Sequence, residues 1–103
     1  MNIIHATGSN FKEVVGGDLV LVDFFADWCG PCQMLAPVLE DMSNDRDMIK
    51  IVKVNVDNEH ELAKDHGVMS IPTLCLYKNG SVIDKKVGFM PKEDITEWIN
   101  ENK

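Results

Sequence analysis

A chain of 103 residues, 45% apolar and 26% charged, has enough material for one buried core, and a single domain over residues 1–103 is expected. The net charge of -7, with no basic cluster, excludes nucleic-acid phosphates as partners. No apolar run approaches the ~20 residues of a membrane span. The segment Met1 to His5 lacks the basic and apolar regions of a signal peptide, so a cytoplasmic, monomeric protein without membrane attachment is predicted.

Ile3-Ile4 reads as a short first strand. Ser9 is placed to cap a short helix through Val15, with Phe11, Val14 and Val15 inward and Gly16-Gly17 ending it. Leu19 to Ala26 is nearly all apolar, the pattern of a central strand covered on both faces. A long helix is predicted from Pro31 to Asn44, where Met34, Leu35, Val38, Leu39 and Met42 recur at helical spacing. Pro37 removes one backbone hydrogen bond, but the stripe continues past it, so the helix should bend there and not stop.

Ile49 to Val56 reads as a second buried strand. Asn58 with Glu61 has the spacing of a capping box, opening a short helix that Gly67 closes. Thr73–Tyr77 and Val82–Val87 flank Asn79-Gly80, a strong hairpin signal. Pro91 starts a last helix with Glu93 and Asp94 in its first turn and Ile95, Trp98 and Ile99 inward. The order β-α-β-α-β-α-β-β-α predicts an α/β protein: a mixed sheet with helices on both faces.

The chemistry concentrates in Trp28-Cys29-Gly30-Pro31-Cys32, directly after the first buried strand. Cysteines three apart on a helical turn have Cβ atoms roughly 5–6 Å apart, within reach of a disulfide. If the turn opens a helix, unpaired N–H groups and the positive dipole end favour a thiolate at Cys29. Cys29, nearer solvent, is then the nucleophile, and Cys32, one turn inside, attacks second and releases product. Gly30 leaves room for close approach. Pro31 stiffens the turn by fixing φ where a donor would be unpaired anyway. A zinc half-site or a pair of inert buried thiols are the competing readings, but no second CxxC or HxxxH supplies further ligands.

Asp23 lies inside the apolar run, where an unpaired carboxylate is costly and its pKa rises; an early end to the strand, leaving it in an exposed loop, is the alternative. Lys53 occupies a similar place in Ile51-Val52-Lys53-Val54, and strand pairing would set it beside Asp23; a lysine snorkelling to the surface is the alternative. A carboxyl with raised pKa beneath the CxxC turn could take the proton from Cys32. Ser70-Ile71-Pro72-Thr73 precedes a strand, and Pro72, which cannot donate to a ladder, belongs at its start; the ordinary preference for its peptide bond is trans.

Val22-Asp23-Phe24-Phe25-Ala26-Asp27-Trp28-Cys29-Gly30-Pro31-Cys32, then Ala36-Pro37, Lys53-Val54-Asn55-Val56-Asp57, Ile71-Pro72-Thr73-Leu74, Lys78-Asn79-Gly80 and Val87-Gly88, resemble the thioredoxin family across the whole chain and in order. The resemblance implies a thioredoxin fold, with a central five-stranded mixed sheet flanked by four helices. It implies a protein-disulfide reductase in which Cys29 attacks, Cys32 resolves, and the buried carboxyl of Asp23 serves Cys32 with Lys53 beside it. It implies a cis Pro72 packed against the CxxC turn. A target strand would bond along Ser70-Ile71, while Trp28, Gly30, Pro31, Ile71, Pro72, Gly88 and Phe89 form an apolar docking surface.

The implied partners are disulfide-containing target proteins and a recycling thioredoxin reductase, an NADPH-linked flavoenzyme; no cofactor is expected on the chain itself. A disulfide oxidase or isomerase and a non-catalytic binding subunit are the rival functions, and Gly30-Pro31 between the cysteines resembles the reducing members. Phe25 stands where many relatives carry tryptophan, Gln33 where lysine is common, and Met69-Ser70 where Arg-Gly is frequent, departures that bear on partner choice. Cys75, flanked by Leu74 and Leu76, reads as a small buried apolar residue, with a regulatory thiol the alternative.

Overall fold

The run of apolar residues after Asp18 forms β2 (Leu19–Phe25), which is buried along almost its whole length because partners cover both its edges and both its faces. On one edge lies β3 (Lys50–Asn55), parallel to β2, followed by the short parallel strand β1 (Ile3–His5). On the other edge lies β4 (Thr73–Lys78), antiparallel, with β5 (Ser81–Val87) outermost. The mixed sheet therefore runs β1-β3-β2-β4-β5. The computed structural model describes residues 3–45 and 49–103.

Alternation along the strands divides the core in two. Leu19, Leu21, Ile51, Leu74 and Leu76 face α2 (Gly30–Ser43) and α4 (Lys92–Glu101), meeting Leu35, Leu39, Met42, Ile95, Trp98 and Ile99. Val20, Val22, Phe24, Val52, Val54, Cys75 and Tyr77 face the opposite side. There they pack on Phe11 of α1 (Phe11–Val14), on Val15, and on Leu62 of α3 (His60–Asp65). Each fully buried leucine or isoleucine contributes about 1.5–3 kcal/mol, so the two clusters together fix the register that sets the functional residues.

The hairpin forms as the Asn79-Gly80 pair predicts: both residues have positive φ, 55° and 83°, the left-handed geometry that matches strand twist. Gly67, with φ 63°, closes α3. α2 continues through Pro37 to Ser43, held by its buried stripe.

Four local expectations are corrected. Asn10 and not Ser9 occupies the cap of α1; its Oδ1 accepts the Thr7 N–H at 2.8 Å, while Ser9 Oγ bonds the Thr7 hydroxyl. The Asn58–Glu61 capping box does not form, because α3 begins one residue later, behind Glu59, whose carboxylate instead accepts the Gly8 N–H at 2.7 Å. Met34 is 61% exposed: the predicted stripe was wider than the surface the sheet offers, and Leu35, Leu39 and Met42 fill it. Pro91 sits at the cap of α4, in extended backbone, with Lys92 the first helical residue.

Candidate active site

β2 ends at Phe25, and the chain turns through Ala26, Asp27 and Trp28 into α2, so the CxxC segment caps the helix from its first residue. Cys29 is the N-cap, in extended conformation at φ -83°, ψ 118°, and Gly30 and Pro31 are the first two helical residues. An N-cap side chain points at the N–H groups that the first helical turn leaves unpaired. Here that side chain is a thiol: the Cys32 backbone N–H donates to Cys29 Sγ at 3.2 Å. A sulfur receiving an N–H at the positive end of a fourteen-residue helix is stabilised as an anion. Cys29 and Cys32 are joined in a disulfide with Cα atoms 5.2 Å apart, so the pair reaches the bonded state within the helical turn itself.

Exposure does not separate the two cysteines. Cys29 and Cys32 are 4% and 5% exposed, correcting the expectation that Cys29 lies distinctly nearer solvent. What distinguishes them is the helix: one sulfur is the cap, and the other belongs to the first turn. Both pack with Ala26, Phe25, Val56 and Ile71 in a small apolar cluster.

The second segment reaches the dithiol from the start of β4. The Ile71 carbonyl oxygen lies 3.6 Å from Cys29 Sγ, and the Ile71-Pro72 peptide bond is cis, as the resemblance implies and against the ordinary X-Pro preference. Ser70 is exposed, Ile71 half-buried and Pro72 buried, so an extended chain laid along this segment meets backbone at Ser70-Ile71 while Pro72 lies beneath it. The Ser70 carbonyl accepts from Thr73 Oγ1 at 2.5 Å, which stiffens the turn. Gly88, at φ 99°, donates its N–H to the Pro72 carbonyl at 2.8 Å, tying the end of β5 and Phe89 to the same face.

Asp23 is 1% exposed, on the sheet face covered by α2, and its Oδ1 has no hydrogen-bond partner. Burial pushes its carboxyl pKa up to about 7, and the neighbouring Lys53 moderates the rise. The strand register pairs Asp23 directly with Lys53, as the sequence suggests. Yet Lys53 makes no ion pair with it. The Lys53 ammonium stands 4.4 Å above the centre of the Phe25 ring, a cation–π contact.

Sequence reasoning did not single out Asp57 or the bond from Gln33. Asp57 Oδ2 accepts the Trp28 indole N–H at 2.9 Å, holding an aromatic ring that is 69% exposed. Gln33 Nε2 donates to the Asp27 carbonyl at 2.8 Å and closes the turn from the helix side. Both contacts depend on tertiary placement; only the Asp57 carboxylate at the end of the second buried strand could have hinted at the first. A cleft of about 760 Å³ along α4 is lined by Lys92, Glu93, Thr96, Glu97, Asn100 and Glu101 and contains none of the candidate residues. Among the described residues no helix is long and apolar enough to cross a membrane, and no group of three or more His, Cys, Asp or Glu is placed to hold a metal ion.

A family model described as thioredoxin matches residues 2–101. The thioredoxin of Bacillus subtilis is 48% identical over 103 residues, covering 99% of both chains. That of Rickettsia prowazekii is 43% identical over 101 residues, covering 95% of this chain and 96% of the relative. Among solved structures, a mutant thioredoxin from Halobacterium salinarum superposes with a TM-score of 0.89 at 36% identity, covering 96% of this chain and 88% of that one. The thioredoxin of Malassezia sympodialis superposes at 0.86, also 36% identical, covering 96% and 91%.

Proposed function

Because the chain belongs to the thioredoxin family and is a dithiol–disulfide oxidoreductase of thioredoxin fold, we propose that it works in the reducing direction, on protein disulfides, through Cys29 and Cys32. In the dithiol form the Cys29 thiolate attacks one sulfur of a target disulfide. A Cys29–target bond forms, the target S–S bond breaks, and the first target sulfur leaves as a thiolate. Cys32 then passes its proton to the Asp23 carboxylate and attacks Cys29 Sγ. The Cys29–Cys32 bond forms, the mixed disulfide breaks, and the second target thiolate takes up a proton. Two electrons have moved to the target, and the protein is left as the disulfide.

The observation that carries this reading is the position of Cys29 Sγ, at a helix cap and accepting the Cys32 N–H at 3.2 Å. It supports the attacking role for Cys29 on electrostatic grounds, since exposure does not discriminate. Support for Asp23 as proton acceptor comes from its burial, its unpartnered oxygen and a pKa near neutrality, where a base is most effective. Lys53 holds positive charge beside that carboxyl. Trp28, Gly30, Pro31, Ile71, Gly88 and Phe89 form the docking face, with Ser70-Ile71 offering backbone to a target strand and Pro72 supporting it from below.

Turnover requires a reductant. The family implies a thioredoxin reductase, an NADPH-linked flavoenzyme, and a cytoplasmic, monomeric carrier between it and its targets. A decisive assay measures insulin disulfide reduction coupled to such a reductase and, separately, the reduction potential. A value near the ~-270 mV of thioredoxins supports a reductase, whereas one near the ~-120 mV of dedicated oxidases reverses the direction. A Cys32→Ser variant should accumulate mixed disulfides with targets; free turnover by that variant would refute the division of labour.

A further inference from the structure

Four stretches of chain meet around the dithiol: residues 27–34, 55–60, 68–73 and 87–91. They are joined by the Trp28–Asp57 bond, the approach of Ile71 to Cys29, and the Gly88–Pro72 bond. None of the four contains a lysine or an arginine. They do contain Asp27 and Asp57, both exposed and both flanking Trp28, and Glu59, which is engaged with the Gly8 N–H. His60 is the one basic side chain, and its Nε2 is turned to the Asp57 carbonyl at 2.8 Å. Lys53 is half-buried over Phe25. Lys85, Lys86 and Lys92 adjoin the fourth stretch but are drawn off to the His66 carbonyl, to the Trp98 ring and to Asp41 and Asp45, so the charges beside Trp28 are the carboxylates of Asp27 and Asp57.

Two apolar side chains of these stretches stand in solvent beside the cluster of buried Ala26, Cys29 and Cys32 and half-buried Ile71. Trp28 is fixed by Asp57 and offers a rigid aromatic face, and Met69 is 96% exposed with nothing covering it. A thioether on an unbranched stem adapts to apolar partners of different shape, whereas a pinned indole gives a fixed anchor. Gln33, in the first turn of α2, spends its amide on the Asp27 carbonyl and adds no charge.

Resting on the reductase reading above, we propose that this face selects target disulfides set in apolar segments that carry Lys or Arg within a few residues of the cysteine. Asp27 and Asp57 raise the encounter rate with such segments, and they repel acidic ones. Met69 and Trp28 then grip the apolar part while the target backbone lies along Ser70-Ile71.

The test uses pre-reduced full-length protein in single turnover against two disulfide-bearing peptides with the same apolar residues, one flanked by lysines and one by glutamates. Each rate constant is divided by that of the same peptide with dithiothreitol, which also attacks as a thiolate but carries no docking face, so that the peptide's own response to an attacking thiolate cancels. At an ionic strength of roughly 20 mM the lysine peptide should react about tenfold faster, and the ratio should fall toward one near ~0.5 M salt. Asp27→Lys should shrink or invert the ratio at low salt, whereas Met69→Ser should slow both peptides alike. Equal normalised rates at low salt, a ratio indifferent to salt, or a preference for glutamate overturns the charge selection and leaves the reductase reading standing. Failure to reduce either peptide, or insulin, removes both.

Discussion

Asp23 and Lys53 are direct partners across β2 and β3, yet the ammonium rests on the face of Phe25 and the carboxyl keeps an unpartnered oxygen. A salt bridge at that register would have held the carboxyl ionised and unreactive. With the lysine drawn aside, its charge still acts on Asp23 through space, but desolvation dominates and the pKa stands near 7. The same arrangement that suits Asp23 to the proposed role of proton acceptor also makes the folded protein less stable when its carboxyl is ionised.

Stability should therefore depend on pH through Asp23. Its folded pKa, about 7, lies above the ordinary 3.8, so between these values the folded state binds a proton that the unfolded state does not. Stability then falls as pH rises through that window, by up to about 4 kcal/mol for this group. Asp23→Asn, which keeps the shape and cannot ionise, should match the parent protein near pH 4 and exceed it by a few kcal/mol at pH 8. Urea unfolding of both proteins in the disulfide form across this range measures the difference. A gap that stays constant with pH would mean that Asp23 is not the titrating group.

The resolving step should follow the same ionisation. As proton acceptor, Asp23 must be deprotonated, so decay of the mixed disulfide should accelerate through pH 7 in the parent protein. Asp23→Ala should slow it roughly 10²-fold near neutrality and abolish the inflection, with the loss shrinking at high pH, where Cys32 ionises without help. Lys53→Met removes the charge that holds the Asp23 pKa down and should move the inflection upward. Stopped-flow decay of a preformed mixed disulfide reads all three; an unshifted profile in Lys53→Met would detach the lysine from the carboxyl.

Most of the site chemistry that follows from a residue and its neighbours was legible in the sequence, and most contacts that need two distant segments were not. Cys29 capping α2, Asp23 inside a buried strand, and the Asn79-Gly80 hairpin each follow from a residue and its neighbours. The pairing of Asp23 with Lys53 was inferable from two apolar strands carrying a charge at matching places. The diversion of Lys53 onto Phe25 was not, because it depends on where a ring at the end of β2 leaves space. Capping failed as a signal twice. Ser9 and Asn58 have the right chemistry, but the chain enters α1 behind Asn10, whose side chain accepts the Thr7 N–H in a local turn, and α3 behind Glu59, whose carboxylate is engaged by the distant Gly8 N–H. The aromatic pair of Phe11 and Tyr77 with His66 between them, and the bond from His66 to Tyr77, likewise exist only once α1, α3 and β4 are together.

Trp28 should report the redox state of the protein almost alone. It precedes Cys29 and is mostly exposed, whereas the other tryptophan, Trp98, is buried on α4 with its indole N–H on Asp84 Oδ2 at 2.7 Å. A disulfide quenches a neighbouring indole by accepting an electron from its excited state, so reduction should brighten Trp28 emission. Trp28→Phe should erase the redox-dependent change and Trp98→Phe should preserve it. Asp57→Ala, which frees the indole, should broaden the anisotropy decay of Trp28 and reduce kcat/KM for protein targets by roughly fivefold, about the worth of one hydrogen bond. A full redox response in Trp28→Phe would place the reporter elsewhere.

Cys75 should be chemically silent until the protein unfolds. Its side chain is fully buried in the core on the α1/α3 side of the sheet, and burial pushes its thiol pKa up to about 11, with Lys85 only partly offsetting the rise. At pH 7.5 the thiolate fraction is then on the order of 10⁻³ or less, and no path leads a reagent to it. Iodoacetamide should leave the native disulfide form unmodified and label one thiol per chain after unfolding in guanidinium. In the native dithiol form the label should fall on Cys29 first, since the N–H of Cys32 and the helix end favour its thiolate. Mass spectrometry of the labelled peptides distinguishes the three positions. Label on Cys75 in the native protein would show that β4 opens on the timescale of alkylation, and would return this thiol to the set of groups able to regulate the dithiol.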